Sequence, residues 1–169
     1  MGSPLKLLPS LLIVALPTVA LGQTWTRPPT RGPALLLGPV LTYTELVASE
    51  EAQRGLAGHL ELGASVPVGY EENELFLLAR VGGGAPGLSL GAHGGFRSVF
   101  ELEEWQSYVE LGVSVHVRPR LWAGPRVGLG VRRALNAHLT LYGGLGGQLG
   151  FGSGLRLDVE VSTGLRWSL

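Results

Sequence analysis

The chain of 169 residues is 45% hydrophobic and only 15% charged, against about 25% charged in an average soluble protein, so a densely charged surface is excluded. Thirteen basic and thirteen acidic residues cancel, which leaves no net field for nucleic acid or acidic lipid. The absence of cysteine excludes disulfides and thiolate metal sites. All basic residues except Lys6 are arginines, whose planar guanidinium suits buried pairing with carboxylates.

The first segment has the pattern of a secretory signal peptide. Lys6 supplies a positive charge, an apolar stretch follows it, and small residues precede a cleavage site after Gly22. We therefore predict a signal peptide over residues 1–22, an extended proline-rich lead-in over 23–33 and a single domain over 34–169. A membrane anchor is the alternative, but two prolines interrupt the apolar stretch, which is also short for a span of about 20 residues.

Beyond the lead-in, apolar and polar residues alternate, which is the side-chain period of a β-strand. The alternation predicts eight strands: Ala34–Glu45, Ala57–Val68, Glu74–Val81, Leu88–Phe100, Val109–Val117, Leu121–Val131, Leu139–Phe151 and Leu155–Leu169. The longest predicted connection covers residues 46–56. Pro125 falls inside the sixth strand, and because proline has no N–H to donate, a bulge is predicted there. An even number of antiparallel strands joined by turns favours a closed barrel.

Alternation alone fits both a transmembrane barrel with its apolar face outside and a soluble lipocalin-like barrel with that face inside. The lumen of an eight-stranded barrel is only wide enough for side chains, and the polar set, rich in Gly, Ser and Arg, fits it better than the bulky apolar set. Its arginines and carboxylates nearly balance, which predicts a lumenal ion-pair network. The predicted members are Glu61, Arg80, Arg97, Glu110, Arg126, Arg132, Arg156, Asp158, Glu160 and Arg166, and Glu74 belongs to the same polar set.

The C-terminus carries a short motif. Ser162, Gly164, Trp167 and Leu169 fit the pattern polar-x-Gly-x-x-aromatic-x-hydrophobic, the assembly signal of outer-membrane barrels, although phenylalanine is commoner in the last place. With this motif and the alternation over 34–169, the chain resembles the small outer-membrane β-barrels of the OmpA-transmembrane and OmpX type. The resemblance implies insertion by the barrel assembly machinery into the outer membrane of a Gram-negative bacterium, with both termini in the periplasm.

The expected fold is therefore an all-β, eight-stranded antiparallel up-and-down transmembrane β-barrel. We expect it to be a monomer in contact with outer-membrane lipid, without a cofactor, a metal or a nucleic-acid partner. Membrane barrels carry aromatic girdles at both interfaces. A sparse girdle is predicted from Tyr43, Phe96, Phe100, Trp105, Phe151 and Trp167.

Three polar residues of the fifth strand, Glu110, Ser114 and His116, are the types found in a hydrolase triad. Residues two apart on a strand are separated by about 6.5–7 Å, which is poor triad geometry, so lumen filling is the preferred interpretation. The histidines lack the spacing of a metal site and fall in or beside different strands. They are His59, His93, His116 and His138.

Two acidic clusters could offer oxygen ligands to Ca²⁺, but such turns are usually solvated. They are Glu71, Glu72 and Glu74, and Glu101, Glu103 and Glu104. The preferred function is a structural or interaction barrel with a lumen filled by side chains. The alternatives are a narrow pore for small solutes, a soluble exported barrel that binds a hydrophobic ligand, and a membrane-embedded lipid hydrolase.

Overall fold

The computed structural model describes residues 32–47, 54–69, 73–85, 87–102, 105–152 and 154–169. The strands are β1 Ala34–Val47, β2 Arg54–Val68, β3 Asn73–Gly84, β4 Gly87–Leu102, β5 Trp105–Arg118, β6 Trp122–Ala134, β7 Leu139–Gly152 and β8 Leu155–Ser168. Each strand pairs antiparallel with its neighbours in chain order, and β8 pairs with β1 to close the barrel. The predicted fold class is confirmed. The signal peptide and nearly all of the lead-in lie outside the described residues.

Within the described part of the chain, no helix is long and apolar enough to cross a membrane.

All eight predicted strands are present, but several are longer than predicted. β5 begins at Trp105, four residues before the predicted start, because alternation continues through Gln106 and Tyr108, which are both buried. β1 continues to Val47 and β2 begins at Arg54, so the connection between them covers only 48–53. Backbone pairing with the neighbouring strand extends each ladder beyond the residues with a clear apolar pattern.

The predicted bulge at Pro125 is wrong. The register between β5 and β6 is unchanged through Pro125, and the ladder to β7 only skips Gly124 and Pro125 before it resumes in the same register. The missing N–H thus removes ladder bonds on one side without inserting a residue. The register shift lies instead between Leu90 and Gly91, where Val117 of β5 is the extra residue.

The barrel closes with a stagger between its first and last strands. Following the paired residues once around the barrel from Ala34 leads back to β1 at Thr44, ten residues further along. Closure with such a stagger requires strands tilted by about 35–45°. We call the end of the barrel that holds Ala34 and Ser168 the terminal end, and the opposite end the distal end.

The two faces of the barrel wall differ in chemistry. Leucine and valine cover the outside on every strand, as at Leu77 and Leu129, which are 66% and 60% exposed, whereas charged and polar side chains are buried inside. The apolar set therefore faces outward, which overturns the soluble lipocalin-like alternative, since a belt of this kind requires lipid. All six predicted girdle aromatics face outward, and Trp105 and Trp167 lie near the terminal end.

Candidate functional site: the charged lumen

Arg80 of β3 binds two carboxylates inside the lumen. Its Nε donates to Glu61 Oε1 on the adjacent β2 at 2.9 Å, and its Nη2 also contacts Glu61. Its two Nη atoms donate to both oxygens of Glu160 on β8, at 2.6 and 2.9 Å. Because β8 and β3 are separated by two strands around the barrel, the Arg80–Glu160 pair crosses the lumen. Such two-bond contacts are the strong form of an arginine–carboxylate pair.

The chain of charges continues through Arg126 of β6. Its Nη2 lies 3.2 Å from Glu160 Oε2, and its Nη1 donates to Glu110 Oε2 of β5 at 2.6 Å. Glu110 Oε1 accepts bonds from Nε and Nη2 of Arg97 on β4, at 2.8 and 2.6 Å. The six residues thus alternate in sign from Glu61 to Arg97, and each buried charge contacts an opposite charge, as burial requires.

A second group of arginines surrounds Glu74 nearer the terminal end. Arg132 Nη1 lies 2.9 Å and Arg166 Nε 3.1 Å from Glu74 Oε1, and Arg97 Nη1 lies 3.5 Å from Oε2. Arg97 therefore links this group to the central chain of charges. Arg132 also donates to Gln106 Oε1 at 2.7 Å.

Sequence reasoning counted Glu74 both in the inward polar set and in an acidic turn cluster. Its neighbours Glu71 and Glu72 lie outside the described residues, as do Glu103 and Glu104 of the second cluster. Glu74 itself has the inward parity of Phe76 and Arg80 on β3 and is buried in the lumen, as expected for a member of the polar set.

Arg156 and Asp158 form a separate pair toward the distal end. They lie two apart on β8, on the same face, and Arg156 Nε donates to both carboxylate oxygens of Asp158 at 2.8 and 2.9 Å. Arg156 Nη2 also lies 3.3 Å from Thr44 Oγ1 on β1. All ten residues predicted as lumenal are buried inside the barrel.

An apolar layer interrupts the charges. The Arg97 guanidinium lies over the rings of Tyr108, Phe76 and Tyr142, at 4.7, 5.2 and 5.7 Å from the ring centroids. These rings pack with Leu36 and Leu78 in one buried cluster. An arginine that contacts three aromatic faces and two carboxylates is fixed from several sides.

Glycines opposite these rings provide the space that they fill. A Cβ at Gly164 would lie 2.5 Å from the Tyr142 hydroxyl, and one at Gly144 would lie 2.7 Å from the Tyr108 hydroxyl. The glycine of the C-terminal motif is therefore required by packing in the lumen. The motif residues Trp167 and Leu169 instead face outward, and Ser162 is half-buried.

The candidate triad is not assembled. Both carboxylate oxygens of Glu110 are bound by Arg97 and Arg126. The described contact of His116 is with Gln148, whose Oε1 lies 3.3 Å from Nε2, and nothing links His116 to Ser114. Within the described residues, no three His, Asp or Glu side chains are grouped so that they could hold a metal ion.

Comparisons with known proteins bear on the fold. The sequence matches no protein-family model. No characterised protein is significantly similar to it in sequence. Among solved structures, the barrel is similar to Neisserial surface protein A with a TM-score of 0.59 at 11% identity, over 80% of this chain and 99% of that chain.

Two further structures align over similar lengths. A de novo designed transmembrane β-barrel has a TM-score of 0.48 at 18% identity, over 82% of this chain and 96% of that one. Ail, the attachment invasion locus protein of Yersinia pestis, has a TM-score of 0.40 at 12% identity, over 81% of this chain and 99% of that one. The likeness to Neisserial surface protein A, together with the apolar outer face, defines the class: this chain is a small membrane-spanning β-barrel protein.

Proposed function

We propose that the protein is an outer-membrane β-barrel with a structural or interaction role, and that its lumen is filled by its own side chains and does not conduct. The observation that carries the proposal is the chain of ion pairs from Glu61 to Arg97, which joins residues of β2, β3, β8, β6, β5 and β4. An ion passing along the axis would have to separate buried pairs, each of which is costly to break.

The apolar layer next to the central charges also supports a rigid, non-conducting barrel. The rings of Tyr108 and Tyr142 occupy the volume left by lumenal glycines, and Phe76 packs with them in the same buried cluster. Glycine content alone leaves a narrow pore open as an alternative, because glycine leaves space. Packing against the tyrosine rings explains these glycines without an open channel.

Conductance across a planar bilayer tests the filled lumen. We expect silence from the wild type and current steps from the double variant Arg80→Ala/Glu160→Ala, which removes both members of the pair that crosses the lumen. The matched control, Arg54→Ala/Glu45→Ala, removes an exposed pair and should stay silent. Current steps from the wild type would replace this proposal with the narrow pore.

The outer membrane is the proposed location, reached after cleavage near Gly22 and insertion by the barrel assembly machinery as a monomer. The apolar belt supports it, and so do Trp167 and Leu169, which face outward at the end of β8 where a recognition signal must be accessible. A Gram-negative host expressing the full chain should hold it in the detergent-extracted outer-membrane fraction, with different gel migration before and after boiling. Recovery as a soluble periplasmic protein without that shift would overturn the proposal.

A further inference from the structure

The bulge near the distal end of β5 changes the face on which Arg118 lies. Up to His116 the even-numbered residues of β5 point into the lumen, so unbroken alternation would place Arg118 there too. The extra residue Val117 instead makes Arg118 the partner of Leu90. Directly paired residues share a face, and Leu90 belongs to the outward set of β4, next to the buried Ser89. The bulge therefore directs an arginine to the outside, which is a known use of bulges.

The surroundings of Arg118 are apolar. Val117 and Leu121, on either side of it in the chain, are 56% and 67% exposed and belong to the belt that faces lipid. Arg118, the last residue of β5, therefore lies where the apolar belt ends at the distal end, which is the level expected for lipid headgroups.

Arg118 differs from other outward-facing arginines in its contacts. Arg54 lies 3.3 Å from Glu45, and the Arg133 guanidinium lies over the Trp105 ring at 5.4 Å. Among the described residues, no carboxylate lies within ion-pair distance of Arg118. A cation turned toward the membrane boundary without a carboxylate partner from the protein suits an anion supplied by the membrane.

We propose that Arg118 binds the phosphate group of a lipid in the leaflet at the distal end. The guanidinium fork matches phosphate oxygens with paired hydrogen bonds. Val117 and Leu121 would contact the acyl chains of the same lipid. A basic residue near an anionic membrane surface strengthens binding by about fivefold, which is the effect expected for Arg118. This site is independent of whether the lumen conducts.

Lipid titration of the purified full chain, followed by native mass spectrometry, tests the site. The probes are phosphatidic acid, diacylglycerol with the same acyl chains, and inorganic phosphate. We expect the wild type to retain phosphatidic acid over diacylglycerol. Arg118→Gln should weaken phosphatidic acid binding by about fivefold and leave diacylglycerol binding unchanged. Arg54→Gln, at the same end, is the matched control and should bind like the wild type.

Three results would overturn the proposal. The first is equal retention of the two lipids by the wild type. The second is unchanged phosphatidic acid binding by Arg118→Gln, once the gel shift on boiling shows that this variant is folded. The third is inorganic phosphate that binds as tightly as phosphatidic acid, which would assign the site to a free anion. Partial retention of phosphatidic acid by Arg118→Lys would support the proposal, because lysine keeps the charge and loses the fork geometry.

Discussion

Glycines on the two faces of the barrel wall have different surroundings. In the lumen, a Cβ at Gly164 or Gly144 would lie 2.5 or 2.7 Å from a tyrosine hydroxyl and 2.6 or 2.8 Å from a backbone oxygen of the adjacent strand, so ring and backbone packing together require glycine there. On the lipid face of β7, a Cβ at Gly143 or Gly147 would meet nothing nearer than 3.5 or 3.9 Å. Charged residues also differ between the two faces. Those that point into the lumen are paired, and those that point outward lie near the barrel ends. Packing constrains the lumenal face, whereas solvation by lipid constrains the outer face.

The largest expected effect comes from removing a lumenal charge. Glu160→Gln leaves Arg80 and Arg126 buried with one carboxylate partner fewer, and breaking a buried pair costs about 3–5 kcal/mol. Denaturant unfolding in lipid vesicles should show this as a lower midpoint. The control Glu45→Gln breaks an exposed pair with Arg54, worth about 0–1 kcal/mol. Equal midpoints for the two variants would contradict the distinction between the faces.

A charge placed on the outer face should lower the free energy of unfolding by somewhat less than Glu160→Gln does. Leu129→Arg puts a guanidinium within the apolar belt, and the expected loss is about 2–4 kcal/mol of unfolding free energy near the bilayer midplane. Leu121→Arg, where the belt ends, should lose only about 0–1 kcal/mol. The same vesicle unfolding experiment measures both. A Leu129→Arg variant as stable as Leu121→Arg would mean that this face does not contact lipid.

Adding one methyl group inside the lumen should have a smaller effect. In Gly130→Ala the new Cβ would overlap the ring of Tyr108 and the backbone of β7, and overpacking of this kind costs about 1–3 kcal/mol. The companion variant Gly130→Ala/Tyr108→Leu removes the ring and should recover part of the loss. If removal of the ring restores nothing, backbone contact rather than ring packing requires the glycine.

The smallest effect, with the opposite sign, is expected for the same change on the lipid face. Gly147→Ala meets open space, and alanine is favoured over glycine within a strand by about 0.5–1 kcal/mol. Unfolding should therefore be unchanged or slightly harder. Marked destabilisation by Gly147→Ala would show that something outside the barrel, such as a second chain, contacts this glycine.

Alternation in the sequence predicted the strands and the face of each residue, because burial in a barrel wall has a period of two. It could not predict the bulge, since Val115 to Arg118 continues the apolar–polar alternation and only pairing with β4 reveals the extra residue. It also misjudged Pro125, whose lost bonds the ladder tolerates without a shift.

The lumenal charges were predictable as a set but their partners were not. Residue type and parity identify Arg80 and Glu160 as inward, yet they lie 80 positions apart in the chain. Their contact depends on the stagger at which the barrel closes, and no local pattern encodes it. The signal peptide and its cleavage after Gly22 remain predictions, as does recognition of the C-terminal motif.

The pairing of β8 with β1 has a consequence for the order of assembly. Seven ladders join strands that are neighbours in the chain, and these can form one after another as hairpins. The eighth, which sets Ala34 opposite Ser168, can form only when the last strand arrives. That strand also carries Glu160, so Arg80 and Arg126 lack this carboxylate until then. Closure of the ring therefore coincides with the arrival of the carboxylate that Arg80 and Arg126 share.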